Sequence, residues 1–508
     1  LNFPELLPLL NDFLRYREDS PLIFTSAEFW AFFLVFLSGY SLLYKNIRLR
    51  NPWILLFSLF FYYKSSGWAV LLLLFTITQD YLIARLLGKT ASATGRKFLV
   101  SLSVSVNLLV LAYFKYAFLL AEWLGLMLGH EIPQYNWLAA LLPCRDLLQL
   151  NTENILLPVG ISFFLFHSIS YTVDVYRKAV PPLKSWVDYA VFVSFFPELV
   201  AGPIVRARDF VDQLSAPFSL NKADFGKGVA LVMGGLFKKI VISDMLSTGL
   251  ADKVFDQPEL ASVLETWLAV LAYAFQIFCD FSGYTDIAIG LALLLGYHLR
   301  PNFNEPYKAV SITDFWRRWH ISLSVWLRDY LYIPLGGNRK GKILTYVNLL
   351  ITMLLGGLWH GASLKFLIWG GLHGLALAFH KAWMEAEKYL PFRIPGILGG
   401  LLTFCFVALC WIPFRAADMD VTLRILDKLR MIPDWTQLPL LLEAFSTALA
   451  CLLGGMILHF LPWRWKEYLF SLCGKMPVWL LGIFCLAGMM LLYQFSSGDS
   501  QPFIYFQF

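Results

Sequence analysis

The residues of this 508-residue chain whose types suit chemistry are imidazoles and carboxylates set inside apolar runs. His360 lies in GGLWHGAS at 356–363, His320 in SITDFWRRWHISLSVWLRDYLYIPLGGNRKG at 311–341, and Asp280 in QIFCDFSGYTDIAIG at 276–290. An imidazole titrates near neutral pH and can take the proton of a hydroxyl that attacks a carbonyl. In an apolar segment it is costly, and it marks either a reaction site or a ring bonded to backbone. The sequence contains no phosphate-cradling GxxxxGK[ST], no HExxH, no GxSxG and no paired-cysteine zinc spacing, which disfavours ATP hydrolysis, zinc proteolysis and a serine-hydrolase elbow and leaves no metal site.

Each candidate also has a plainer reading. On a continuous helix Trp316, Trp319, His320, Leu323, Trp326, Leu327 and Tyr330 share one side and Arg317, Arg318, Arg328 and Asp329 the other, so His320 turns away from the cytoplasm. That suits a catalytic ring or an interfacial helix whose histidine satisfies a carbonyl. Arg317 and Arg318 read first as lipid and topology anchors. Around His360, Gly356, Gly357 and Gly361 permit close helix approach or a break in the helix. His373 lies thirteen positions on, about 220° around a continuous helix, and reads with His380 as structural. Asp280 is expected to pair with an arginine such as Arg317 or Arg318 or to bond to backbone, or else to shape a reaction chamber. Cys279 reads as a small apolar residue before it reads as a thioester nucleophile.

The elements that must position these groups are membrane helices. The chain is 58% hydrophobic, 17% aromatic and only 15% charged, and apolar runs long enough for a bilayer core of about 30 Å recur from near residue 27 to near residue 495. Residues 1–26 read as a peripheral amphipathic segment, with Leu6, Leu7, Leu9, Leu10 and Phe13 on its apolar side, and no cleavable signal peptide is evident. Residues 27–508 read as one membrane domain of roughly thirteen apolar segments. Basic loops orient them with both termini extracytoplasmic, and they account for the net charge of +6 as topology signals rather than a nucleic-acid surface. Residues 187–201 and 302–342 break the alternation and read as re-entrant or interfacial, which implies a protein-lined cavity. The seven cysteines read as packing residues.

Together FWRRWHISLSVWLRDYLYIPLGGNRKG, GGLWHGAS, DFSGYTDIAIG, LLPVGISFFLFHSISYTVDVYR, FPELVAGPIVR and the terminal PFIYFQF resemble the membrane-bound O-acyltransferase (MBOAT) family. The resemblance runs from about residue 30 to the C-terminus and is narrowest to the bacterial polysaccharide branch that acetylates alginate. It implies an all-α polytopic fold of about 11–13 membrane helices, re-entrant segments included, around a central tunnel in a bacterial inner membrane. It places the family's nearly invariant histidine at His360 and the branch's second histidine at His320. Trp316, Trp319, Trp359, Asp280, Ser282, Arg317 and Arg318 are then the expected substrate-binding neighbours. The activity implied is transfer of acetyl from cytoplasmic acetyl-CoA, with no bound cofactor, to hydroxyls of an exported polysaccharide. Transfer would be direct or through an extracytoplasmic serine-hydrolase-like partner, with membrane lipids as the other contacts. D-alanyl transfer to teichoic acids and a non-enzymatic polysaccharide or lipid flippase are the alternatives.

Overall fold

The computed structural model describes residues 13–17, 21–132, 135–141, 155–391, 393–495 and 503–504, and among these every regular element is helical. Leu6, Leu7, Leu9 and Leu10 of the expected amphipathic segment lie outside the described residues. Six helical stretches are long and apolar enough to cross a membrane, or seven if the pair Trp435–Ala444 and Ser446–Phe460, bent by 89°, is one span. The figure of 11–13 also took in shorter apolar helices such as Ala27–Leu43, and divided Ile47–Lys89, which runs on as helix through a 3-10 turn at Gly67–Ala69. The chain forms two compact units, residues 1–219 and 220–508.

The first unit contains α1 (Ala27–Leu43), α2 (Ile47–Ser66), α3 (Val70–Lys89), α4 (Ala93–Leu111) and α5 (Ile161–Tyr176), and the nine-residue α6 (Trp186–Ser194) packs against α2, α3 and α5. A helix of nine residues rises only about 14 Å, too short to span a bilayer core. Its continuation is buried in protein, as irregular backbone at membrane depth must be. His167 Nε2 accepts the Val205 N–H at 3.0 Å, and a Cβ on Gly160 would meet the Leu199 carbonyl at 2.7 Å. The motifs at 156–177 and 196–206 are therefore one packing unit, and His167 is its clasp.

The second unit is organised by α8 (Val263–Leu294), with α7 (Lys222–Phe237) packed along it. A capping box fixes the start of α8: Ser262 accepts from the Glu265 N–H, and Glu265 accepts from the Ser262 N–H. Glycines seven residues apart on each helix set the crossing. A Cβ on Gly235 would lie 2.6 Å from the Gly283 carbonyl, and one on Gly290 would lie 2.6 Å from the Gly228 carbonyl. Backbone meets backbone there, the close approach that small residues allow between membrane helices. Gly283→Val should therefore cost about 1–3 kcal/mol from overpacking, read as a lowered unfolding midpoint in detergent, whereas the same change at Gly482, with nothing within 4 Å of its Cβ, should not.

Four further helices carry the histidines: α9 (Ile312–Arg318), α10 (Ile321–Leu327), α11 (Lys342–His360) and α12 (Leu364–Ala386). The single helix expected over 311–330 is in fact two. It breaks at Trp319–His320 because His320 adopts the left-handed conformation, φ 41° and ψ 56°. The expected sidedness holds in part: Trp316, Trp319, His320, Leu323, Trp326 and Leu327 are buried and Arg317 and Arg328 exposed, while Tyr330, Arg318 and Asp329 are all half-buried. Burial of the aromatic side chains, not helical continuity, fixes that face.

Candidate active site

A second break decides the site. α11 ends at His360, Gly361 is extended, and α12 starts at Leu364, so the two helices form an antiparallel hairpin. Gly357 and Gly370 allow it: a Cβ on Gly357 would lie 2.2 Å from the Phe366 carbonyl and one on Gly370 2.3 Å from that of Met353. The separation of about 220° between His360 and His373 assumed one continuous helix and does not apply. His373 lies one turn beyond Trp369 on the same face of α12, at a ring separation of 4.7 Å, and the hairpin turns that face towards the end of α11. Trp369 in turn meets His360 edge to face at 5.0 Å.

His360 is 5% exposed and sits among Trp359 at 5.0 Å, Trp369 at 5.0 Å and Phe414 at 5.3 Å, all at near-perpendicular ring angles. His320 approaches the other side of this cluster, 6.1 Å from the Trp359 ring. Trp359 thus stands between the two histidines. The structure brings His360, Trp359, His320, Trp316 and Trp319 into one aromatic neighbourhood: Trp316 packs on Trp369 at 5.8 Å and Trp319 on Trp411 at 4.9 Å.

Hydrogen-bond partners fix the tautomers of two rings. Asn302 Oδ1 accepts the Ser322 backbone N–H at 3.1 Å and the Ser322 hydroxyl at 2.9 Å, so the atom there is oxygen. His320 Nδ1, 3.1 Å from the same oxygen, must donate, which leaves the lone pair on Nε2. The Asn302 carbonyl also accepts from Ile321 N at 2.9 Å, so one asparagine satisfies the first turn of α10 and holds His320 in its left-handed geometry. Burial pushes the pKa of His320 down to about 3, which keeps the ring neutral at physiological pH. His373 is the opposite case. Its Nδ1 accepts from Trp316 Nε1 at 3.3 Å, so its proton is on Nε2. Neither His373 Nε2 nor Trp369 Nε1, both fully buried, has a hydrogen-bond partner among the described residues.

Other expected neighbours lie elsewhere. Arg317 is exposed. Arg318 pairs with Asp314 at 3.0 Å. Asp280 pairs with neither arginine: it meets Lys239 at 2.7 Å, because α7 crosses α8 at glycines and brings that ammonium to it. Ser282 accepts from Lys238 at 3.1 Å. Between the two, Phe281 is the α8 residue that reaches the histidines, 4.7 Å edge-on from the His320 ring. Asn302, Phe281, Trp369 and Phe414 were missed by sequence reasoning. The run Gly361-Ala362-Ser363 was the available sign of the turn that assembles them.

This is a buried aromatic cluster with a neutral histidine and indole and imidazole N–H groups near a second histidine, surroundings from which water is excluded. The family model described as MBOAT, membrane-bound O-acyltransferase family, matches residues 91–417, a span that contains both histidines. The chain belongs to the membrane-bound O-acyltransferase family. It is a polytopic, all-helical O-acyltransferase. Among curated proteins it is similar to a probable alginate O-acetylase of Pseudomonas aeruginosa, 41% identical over 87% of this chain and 80% of that one. It is also similar to a peptidoglycan O-acetyltransferase of Helicobacter pylori, 35% identical over 94% and 92% of the two chains. A teichoic acid D-alanyltransferase of Bacillus subtilis matches at 28% over 50% of this chain and 68% of that one.

Proposed function

We propose that this membrane-bound O-acyltransferase moves acetyl from cytoplasmic acetyl-CoA to hydroxyls of an exported polysaccharide, directly or through an extracytoplasmic partner that carries a serine nucleophile. It works in a bacterial inner membrane with both termini extracytoplasmic. The observation that carries the chemistry is the buried His360 at the closed end of the α11–α12 hairpin, ringed by Trp359, Trp369 and Phe414. The choice of acetyl and of glycan rests on similarity to O-acetylating relatives over most of the chain.

His360 takes the proton of the acceptor hydroxyl as its oxygen attacks the thioester carbonyl; the C–S bond breaks and the thiolate leaves with a proton. Oxygen that gains charge in the transition state needs buried N–H donors. Trp369 Nε1, on the ring that meets His360, and His373 Nε2, one helical turn further along α12, are buried N–H groups available for that role. His320 has its Nδ1–H committed to Asn302, so its Nε2 accepts a bond and orients a ligand hydroxyl or amide. Arg317, Arg318, Arg339, Lys340 and Lys342 draw the coenzyme's phosphates to the cytoplasmic side.

Membranes containing the protein should release CoA from labelled acetyl-CoA and place the label on extracytoplasmic glycan. Consumption of a D-alanyl carrier donor in place of acetyl-CoA would move the enzyme to the teichoic acid branch. Glycan translocation without any acyl consumption would replace the reading with a flippase.

A further inference from the structure

The second unit holds a partly enclosed polar cavity of about 320 Å³, lined from Lys239 just beyond α7, α8, the 243–256 segment, the end of the Gly396–Arg415 helix and Ile504. It lies one residue from the histidine cluster, since Phe414 packs on His360 and Arg415 lines the cavity. Its wall holds four carboxylates, Asp244, Asp252, Asp256 and Asp280, against two cations, Lys239 and Arg415.

Both cations are shared between carboxylates. Lys239 lies 2.7 Å from Asp280 and 2.9 Å from Asp244, and Arg415 lies 2.5 Å from Asp252 and 3.3 Å from Asp256. Several neutral donors are committed as well. The Ser247 hydroxyl donates to Asp252, the Gln276 amide to Ser247, and the Ile504 N–H to Asp280. The excess is on the accepting side: four carboxylates against two cations, and Gln276 Oε1, an atom of a residue only 8% exposed that has no hydrogen-bond partner among the described residues. A cavity of spare acceptors and excess negative charge takes a ligand that donates hydrogen bonds and carries no negative charge. The carboxylates do not form a metal site; among the described residues no group of three or more His, Cys, Asp or Glu could hold one.

We infer that this cavity is the acceptor subsite and that it selects uncharged, hydroxyl-bearing groups while excluding uronates. The inference rests on the acetyl-transfer reading above and deepens it. It means that a polyuronate cannot itself enter to be acetylated, so if the final polymer is anionic the group that receives acetyl here is a neutral hydroxyl that relays it onward.

Purified full-length protein in lipid nanodiscs, given acetyl-CoA with 4-nitrophenyl β-D-glucoside or with 4-nitrophenyl β-D-glucuronide, tests it. The two probes differ by one carboxylate. The glucoside should accelerate CoA release at least about tenfold more than the glucuronide, given what like-charge juxtaposition costs. Asp256→Lys changes a residue whose side chain is 61% exposed at the cavity rim and should collapse that ratio towards one. Gln276→Leu should raise KM for the glucoside while leaving KM for acetyl-CoA in place. Equal use of both glycosides, or a ratio unmoved by Asp256→Lys, overturns the inference. So does failure of either glycoside to act in protein whose membranes acetylate their own glycan. If those membranes consume no acetyl-CoA, the acetyl-transfer reading itself falls.

Discussion

Replacing His360 by alanine lowers acetyl transfer by about 10²–10⁴-fold, the usual worth of a positioned general base, while the protein still inserts and unfolds cooperatively. The ring makes three edge-on aromatic contacts, so alanine also opens space in the cluster, and His360→Gln is the volume-keeping control. Both variants should lose kcat, with little change in KM for acetyl-CoA, because the proton moves only in the transition state. Rates are read as labelled acetyl on glycan against the unfolding midpoint in the same detergent. Wild-type rates in two folded variants would remove His360 from the chemistry.

Replacing Lys239 by methionine destabilises the second unit by about 3–5 kcal/mol, the cost of breaking a buried ion pair by removing one partner. The ammonium is 2% exposed and lies within 2.9 Å of two carboxylates, and its Nζ also stands 4.9 Å over the Phe503 ring. Without it Asp280 and Asp244 face one another uncompensated. The unfolding midpoint should fall sharply and recover in part in Lys239→Met/Asp280→Asn, which removes one stranded charge. An unchanged midpoint in the single variant would show the cluster to be hydrated and energetically neutral. Because Asp280 also accepts the Ile504 N–H, the single variant should loosen the C-terminal segment, measured as faster proteolysis there.

The chemistry-bearing residues were legible because apolar surroundings make an imidazole or carboxylate conspicuous. His360 beside glycines, His320 on a tryptophan-rich face and Asp280 within α8 all stood out by residue type alone. The inward side of residues 312–327 was legible too, since aromatic and charged residues separate by solubility wherever the backbone runs. Partner choice was not. An arginine or a backbone N–H was the expected partner of Asp280; it does accept the Ile504 N–H, but its cation is Lys239, forty-one positions earlier, because two pairs of glycines let α7 and α8 touch backbone to backbone.

By itself the sequence determined the membrane class, the order of the apolar segments and which imidazoles and carboxylates lie inside them. These follow from hydrophobicity and residue type, which are local properties. Only the tertiary structure decided that α11 and α12 fold back on each other at Gly361, that His320 is held left-handed by Asn302, and that His373 rejoins the cluster through Trp369. Helical periodicity predicts angles only along an unbroken helix. Whether a helix breaks depends on backbone contacts between segments distant in sequence, and those contacts put both histidines on one tryptophan.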